Sequence, residues 1–203
     1  MKGSTVRVGL MLTGGLSSRM GTPKAELRVE GEPLVDRVRV AMSPWCDLVI
    51  EVGPGFGHGE SIADSRGGPL VALVEAWSEL GDREAAKGLE IDEVLVCSVD
   101  LPRLTTDDLA DLFTTELGGA DACLPRIDGR AQPLIGRYSR RAMTIAADAV
   151  NRGHRSMRQL LAELVVEWLD VTDPARVDAF TDIDTPGQAR RAGVETGGSA
   201  DPD

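Results

Sequence analysis

The run Thr13-Gly14-Gly15-Leu16-Ser17-Ser18-Arg19-Met20-Gly21-Thr22-Pro23-Lys24 combines three glycines with two cations. Glycines let a backbone approach a ligand closely and take turns closed to other residues. Successive N–H groups in such a turn form a nest for an anion, and Arg19 and Lys24 add positive charge. This is the chemistry of phosphate binding. No Gly-Lys-Ser/Thr follows the glycines, so the run is not a Walker A loop, and its spacing is not that of a dinucleotide-binding fingerprint. A plain strand-to-helix loop with incidental charges is the alternative.

Three acidic segments could serve such a loop. Asp100, in Val99-Asp100-Leu101-Pro102, follows an apolar run. A carboxylate at a strand end suits Mg²⁺, a hard ion that prefers oxygen ligands. Strand-end aspartates also cap helices, but Thr105 or Thr106 can cap the next one and release Asp100 from that duty. Asp182 and Asp184 alternate in Phe180-Thr181-Asp182-Ile183-Asp184-Thr185-Pro186, so in an extended segment they share one face. One of them could be a second metal ligand and the other a helix cap, since Asp184 or Thr185 before Pro186 also makes a good helix start. Asp64, in Asp64-Ser65-Arg66-Gly67-Gly68-Pro69-Leu70, could accept hydrogen bonds from N1 and N2 of guanine; a turn that holds an acid reads the same way.

The elements that must position these groups alternate between strand and helix. Strands are expected at 6–12, 47–52, 61–64, 93–99, 120–124, 133–138 and 165–170. Helices are expected at 33–42, with Pro33 in the first turn, and at 69–80, 106–116, 139–151, 156–164 and 186–192. This pattern predicts a three-layer α/β/α sandwich with a mostly parallel sheet. Ligands of such sheets bind beyond the carboxyl ends of the strands. Thr13, Gly14, Gly15 and Asp100 should therefore face one crevice. The segment Gly53 to Gly59 is too glycine-rich for regular structure and is either a lid or a loose connection. Residues 1–194 are expected to form the domain and 195–203 a frayed tail.

With 203 residues, 42% apolar and 27% charged, the chain has the composition of one globular domain. The formal charge of −11 argues against nucleic acid as a partner. It also means that bound phosphates need a metal or well-placed cations. No apolar run approaches the ~18 residues of a membrane span, and the N-terminus lacks the pattern of a signal peptide. Neither Cys46, Cys97 and Cys123 nor His58 and His154 fall in a disulfide or zinc pattern. A cytoplasmic location is the expectation.

In combination, these segments resemble the molybdenum cofactor guanylyltransferases, within the wider nucleotidyltransferases of the GT-A/Rossmann-like fold. The matching segments are Gly14-Gly15, Ser17-Ser18-Arg19-Met20-Gly21 and Lys24, then Gly68-Pro69-Leu70, Ser98-Val99-Asp100-Leu101-Pro102, Gln132-Pro133-Leu134 and Asp182-Ile183-Asp184-Thr185-Pro186, in that order over residues 6 to 192. The resemblance implies an Mg²⁺-dependent transfer of GMP from GTP to the terminal phosphate of molybdopterin, releasing pyrophosphate. It implies that Gly14 and Gly15 offer N–H groups to the phosphates and that Leu12, Thr13 and Asp64 line the nucleoside site, with Asp64 favouring guanine. Lys24 would stabilise charge at the α-phosphate and Arg19 at the leaving pyrophosphate; Asp100, with Asp184, would hold the metal. It further implies transient contact with proteins that supply molybdopterin or receive the finished cofactor, and no membrane partner.

Three departures from the family pattern stand out. Thr13 replaces a usual alanine. Glu51 replaces an asparagine used for the nucleotide, and its charge keeps it out of the expected site. Asp182 and Asp184 replace asparagines, which brings the sister cytidylyltransferases to mind, although Gly14-Gly15 favours the guanylyl branch. A CTP-using or sugar-phosphate enzyme of the same fold, or a nucleotide-binding partner without activity, are the competing readings. Arg155, Ser156 and Arg158 could bind the acceptor or simply begin a solvated helix.

Overall fold

Val8–Leu12 (β1) is apolar at every position except Gly9 and fully buried, as expected of a strand covered on both faces. In the computed structural model, which describes residues 6–14, 22–87 and 90–195, the next described element is a 3-10 turn, Lys24–Glu26. Next come β2 (Arg28–Val29), β3 (Glu32–Pro33), α1 (Leu34–Met42), β4 (Leu48–Val52), β5 (Ser61–Ile62) and α2 (Pro69–Lys87). The chain continues through β6 (Glu93–Ser98), α3 (Ala110–Thr114), β7 (Ala122–Ile127), β8 (Arg130–Ala131), β9 (Ile135–Ser139) and α4 (Arg140–Asn151). It ends with α5 (Met157–Leu161), β10 (Val166–Asp170), α6 (Pro174–Ala179), α7 (Pro186–Arg191) and β11 (Val194–Glu195).

The main sheet has the order β10-β7-β9-β6-β1-β4-β5, with β8 paired to β7. β1 lies parallel to both β4 and β6, whereas β9 runs antiparallel to β6 and β7. Side-chain alternation then divides the core. Met11 and Cys97 pack on one side with Leu34, Val38 and Met42 of α1 and with Ile183. Leu10, Leu12 and Val96 pack on the other with Leu70 and Leu73 of α2 and Met143 of α4. The expected three-layer, mostly parallel α/β/α architecture is what forms.

Several local expectations need correction. Pro33 precedes α1 rather than lying in its first turn, because it is extended (ψ 143°) and pairs with Arg28. α2 continues past Leu80 to Lys87; the Arg83 guanidinium, ion-paired with Glu79 and Glu60, supports the added turns. Neither Thr105 nor Thr106 supplies a side-chain cap; instead the Asp108 carboxylate accepts from the Thr105 backbone N–H and hydroxyl. Glu195 is not part of a tail, since it pairs with Arg28 in a small three-stranded sheet. Residues 196–203, the rest of the expected tail, lie outside the described residues. No helix among the described residues is long and apolar enough to cross a membrane, and Cys46, Cys97 and Cys123 are unbridged.

Candidate active site

The registers Leu12↔Val52 and Leu12↔Ser98 bring the carboxyl ends of β1, β4 and β6 to one level. The described residues that follow these three strands meet at a single edge. A cavity of about 760 Å³ opens there, lined by Leu12, Thr13, Gly14 and Asp64 on one side and by Lys24 and Asp100 on another. Pro54, Phe56 and Leu134 complete its walls. This volume falls within the range of small-molecule sites.

Each charged group is aimed by buried neighbours. Val99 and Leu101 are 3% and 1% exposed, and the Val99 N–H donates to the Leu12 carbonyl at 3.0 Å. Asp100, between them, therefore turns toward the cavity. Ile183 is buried, and its N–H donates to the Asp100 carbonyl at 3.1 Å. This one backbone bond carries Asp182 and Asp184 to Asp100, so that carboxylate oxygens of all three lie within 4.8 Å of one another. Neither Asp182 nor Asp184 caps α7; Thr185 does, through its side-chain oxygen, which accepts from the Gln188 N–H. The expectation that one of the two aspartates caps this helix is thereby corrected. Lys24 opens its 3-10 turn beside buried Ala25 and Leu27, and its Nζ donates to Asp100 Oδ2 at 2.9 Å and Asp184 Oδ1 at 2.7 Å.

The electrostatics follow from this crowding. Partial burial draws the Lys24 ammonium downward, but Asp100 and Asp184 outweigh it and hold its pKa above the ordinary 10.5. Desolvation, and then the charges of Asp100 and Asp184, push Asp182 above the usual carboxylate range; Lys24 opposes them. Three hard oxygen donors gathered around one ammonium fit a divalent cation such as Mg²⁺ or Mn²⁺, and do not fit a soft metal that wants sulfur.

Asp64 Oδ1 accepts from the Arg66 N–H at 2.9 Å, closing a short turn. Its other oxygen lies so near Gly14 that a Cβ there would stand 1.9 Å from it. Glycine at 14 makes room for a close approach, and the approaching group is a side chain of the protein. The Gly14 N–H donates to the Val52 carbonyl at 3.3 Å, as the Thr13 N–H does at 3.0 Å. The Gly14 N–H, expected to be offered to a phosphate, thus has a partner at the end of β4 in this structure. Gly15 and Arg19 lie outside the described residues.

Glu51, kept out of the expected site for its charge, is the organising residue that sequence reasoning missed. It is 1% exposed and accepts from the Thr13 hydroxyl at 2.7 Å and from the N–H groups of Gly55, Phe56 and Gly57 at 3.0, 2.8 and 2.9 Å. Burial alone would raise its pKa, but the donors from Gly57, Phe56, Thr13 and Gly55 prevail and hold it below the usual glutamate value. A signal was present: an acid inside an apolar strand must find donors, and Gly53-Pro54-Gly55-Phe56-Gly57 follows it directly. Farther away, Ser156 is used in a capping box with Gln159. The Arg155 guanidinium closes the end of α4 on the carbonyls of Val150 and His154.

Comparison with known proteins agrees with this geometry. The family model described as MobA-like NTP transferase domain matches residues 9–168. Two proteins named "Probable molybdenum cofactor guanylyltransferase" are similar along most of their length. The one from Synechococcus elongatus is 32% identical over 179 residues, covering 81% of this chain and 88% of its own. The one from Bacillus subtilis is 29% identical over 190 residues, covering 88% and 90%. Among solved structures, molybdopterin-guanine dinucleotide biosynthesis protein A from Archaeoglobus fulgidus superposes with a TM-score of 0.72 at 23% identity, over 91% of this chain and 96% of that one.

Proposed function

Because the chain belongs to the MobA-like NTP transferase family and is a nucleotidyltransferase, we propose that it transfers GMP from GTP to the terminal phosphate of molybdopterin, with Mg²⁺ as its metal. The observation that carries this reading is the contact of Lys24 with Asp100 and Asp184 on the wall of a nucleotide-sized cavity that also holds Asp64.

In this reaction an oxygen of the acceptor phosphate attacks the α-phosphorus of GTP. A new P–O–P linkage forms, the bond to the bridging β-phosphate oxygen breaks, and pyrophosphate leaves. Such chemistry depends on alignment and charge neutralisation more than on a protein base. Asp100 and Asp184 would hold Mg²⁺, with Asp182 within reach; the bound ion supplies Lewis-acid charge neutralisation at the phosphates. Lys24 contributes a compact positive charge beside the α-phosphate, and Arg19 neutralises the departing pyrophosphate. Leu12 and Thr13 shape the nucleoside end, Thr13 through its packing, since its hydroxyl and N–H are engaged by Glu51 and Val52. Gly14 leaves room for Asp64, and the Gly15 N–H would serve the phosphates. Asp64 uses one oxygen on Arg66 and keeps lone pairs for N1–H and N2–H of guanine. A second cavity of about 370 Å³ has Arg130, Gln132 and Asp182 on its walls. Its cationic and amide groups suit the acceptor, which meets the nucleotide at the acidic cluster.

The first test is thermal stability with GTP, CTP, UTP and ATP, each with and without Mg²⁺. GTP with Mg²⁺ at ~100 times its dissociation constant should add about 2.7 kcal/mol of stability, and the other three should add little. A shift with CTP alone would overturn the guanine assignment and the role of Asp64. A companion variant, Gly14→Ala, forces the Asp64 carboxylate aside. It should weaken GTP binding about tenfold, or ~1.4 kcal/mol, in a calorimetric titration, while CTP binding changes little. Unaltered GTP affinity would remove Asp64 from the base site.

A further inference from the structure

Glu51 does not line the cavity, yet both of the walls it touches do. Its carboxylate holds Thr13 on one side and the 55–57 amides on the other, while Thr13, Gly14, Pro54 and Phe56 face the cavity. The glycines around it make the clasp feasible. A Cβ at Gly53 would stand 2.3 Å from the Thr13 hydroxyl oxygen and 2.9 Å from the Gly14 nitrogen, so only glycine lets the second wall close onto the first. Gly55 takes a left-handed φ of +85°, which turns the chain back toward the carboxylate. The Gly53 N–H donates to the Ile62 carbonyl at 2.9 Å, fixing the root of the loop. A buried carboxylate with fewer donors would be strongly unfavourable; with four, it ties together segments that share no other side-chain bridge of this kind among the described residues.

From this geometry we infer that Glu51 is a positioning residue for nucleotide binding: by clasping Thr13 to the 55–57 amides it sets the distance between the Thr13–Gly14 and Pro54–Phe56 walls, and so the width of the nucleoside end of the cavity. This inference rests on the reading of the cavity as a nucleotide site. The loop at 53–59 is accordingly a fixed wall. Its preset width spares the nucleotide the ordering of a loop on binding, and the effect falls on affinity rather than on the chemical step.

Glu51→Gln offers only one good acceptor oxygen and presents an amide donor to the Gly57 N–H. Thr13→Val removes the hydroxyl at nearly constant volume, and Thr13→Ser retains it. Hydrogen exchange of segment 53–59 without nucleotide reads the clasp itself. Calorimetry with GTP and Mg²⁺, and the separation of KM from kcat, read its consequence. In Glu51→Gln and Thr13→Val, exchange in 53–59 should quicken at least about tenfold and the nucleotide Kd and KM rise about tenfold, with kcat within about threefold of the unaltered protein. Thr13→Ser should restore both readouts. Unchanged affinity in a folded Glu51→Gln beside an unaltered protein that binds normally overturns the inference alone, as does a fall confined to kcat. An unaltered protein that binds no nucleoside triphosphate overturns the reading of the cavity, and the inference with it.

Discussion

Asp100→Ala is expected to fold normally and to lose about 10³-fold in turnover, the several kcal/mol that a bound divalent ion contributes at a phosphoryl centre. The large effect follows from position. Of the three carboxylates in the cluster, Asp100 is the one with partial burial, its backbone carbonyl anchors Ile183, and its side chain takes one of the two Lys24 ion pairs seen among the described residues. Without it, two exposed acids remain, too few to hold a hard cation against water. The small stability change follows from opposing electrostatic effects. Loss of the Lys24 pair destabilises, while removal of one negative charge relieves Asp182, whose pKa Asp100 pushes upward. Steady-state turnover with molybdopterin and GTP, alongside the thermal midpoint, decides the matter. Near-normal turnover would remove the metal assignment, and a large fall in midpoint would turn the effect into one of folding.

The positions of the candidate site groups were legible because they sit where apolar runs end. Val8–Leu12 and Glu93–Ser98 are buried strands stopped by Thr13-Gly14 and Val99-Asp100, and the parallel register does the rest. What escaped were features that depend on pairing across long separations. The two-residue strand at 194–195 exists only because it meets Arg28 and Val29, and nothing local in Val194-Glu195 announces that. The antiparallel insertion of β9 between β6 and β7 is a matter of sheet order, which side-chain periodicity does not encode. α6 was missed despite a legible start, since Asp173 caps it and Pro174 opens it; its six residues are too few for a periodic signal. Glu51 was set aside because its charge was weighed against a ligand. The structure shows that charge answered by Thr13 and three backbone amides of its own chain, a balance visible only once the loop is folded over the strand.

Lys24→Met separates the pairing that geometry gives this ammonium from the catalytic duty proposed for it. Loss of a positive charge positioned beside a reacting phosphate should lower kcat by about 10²–10³-fold. Lys24→Arg should not restore it, because a planar fork cannot replace a compact ammonium seated 2.9 and 2.7 Å from two separate carboxylates. The same change should reduce stability by about 1–2 kcal/mol, since a partly buried pair with Asp100 is lost, although the more exposed Asp184 contributes little after solvent screening. The sign with pH is fixed by the raised pKa of Lys24. Its contribution is full below the ordinary value of 10.5 and disappears only as pH rises through the higher folded value, so denaturation at neutral pH measures all of it. Removing the ammonium leaves three carboxylates within 4.8 Å with no Lys24 charge to oppose them, which strengthens the demand for another cation. Mg²⁺ or Mn²⁺ should therefore stabilise Lys24→Met more than the unaltered protein, even as turnover stays low. Equal stabilisation of both proteins by the metal would mean that Lys24 and the cation do not compensate the same charges, and a kcat within a fewfold of normal would remove Lys24 from the chemical step.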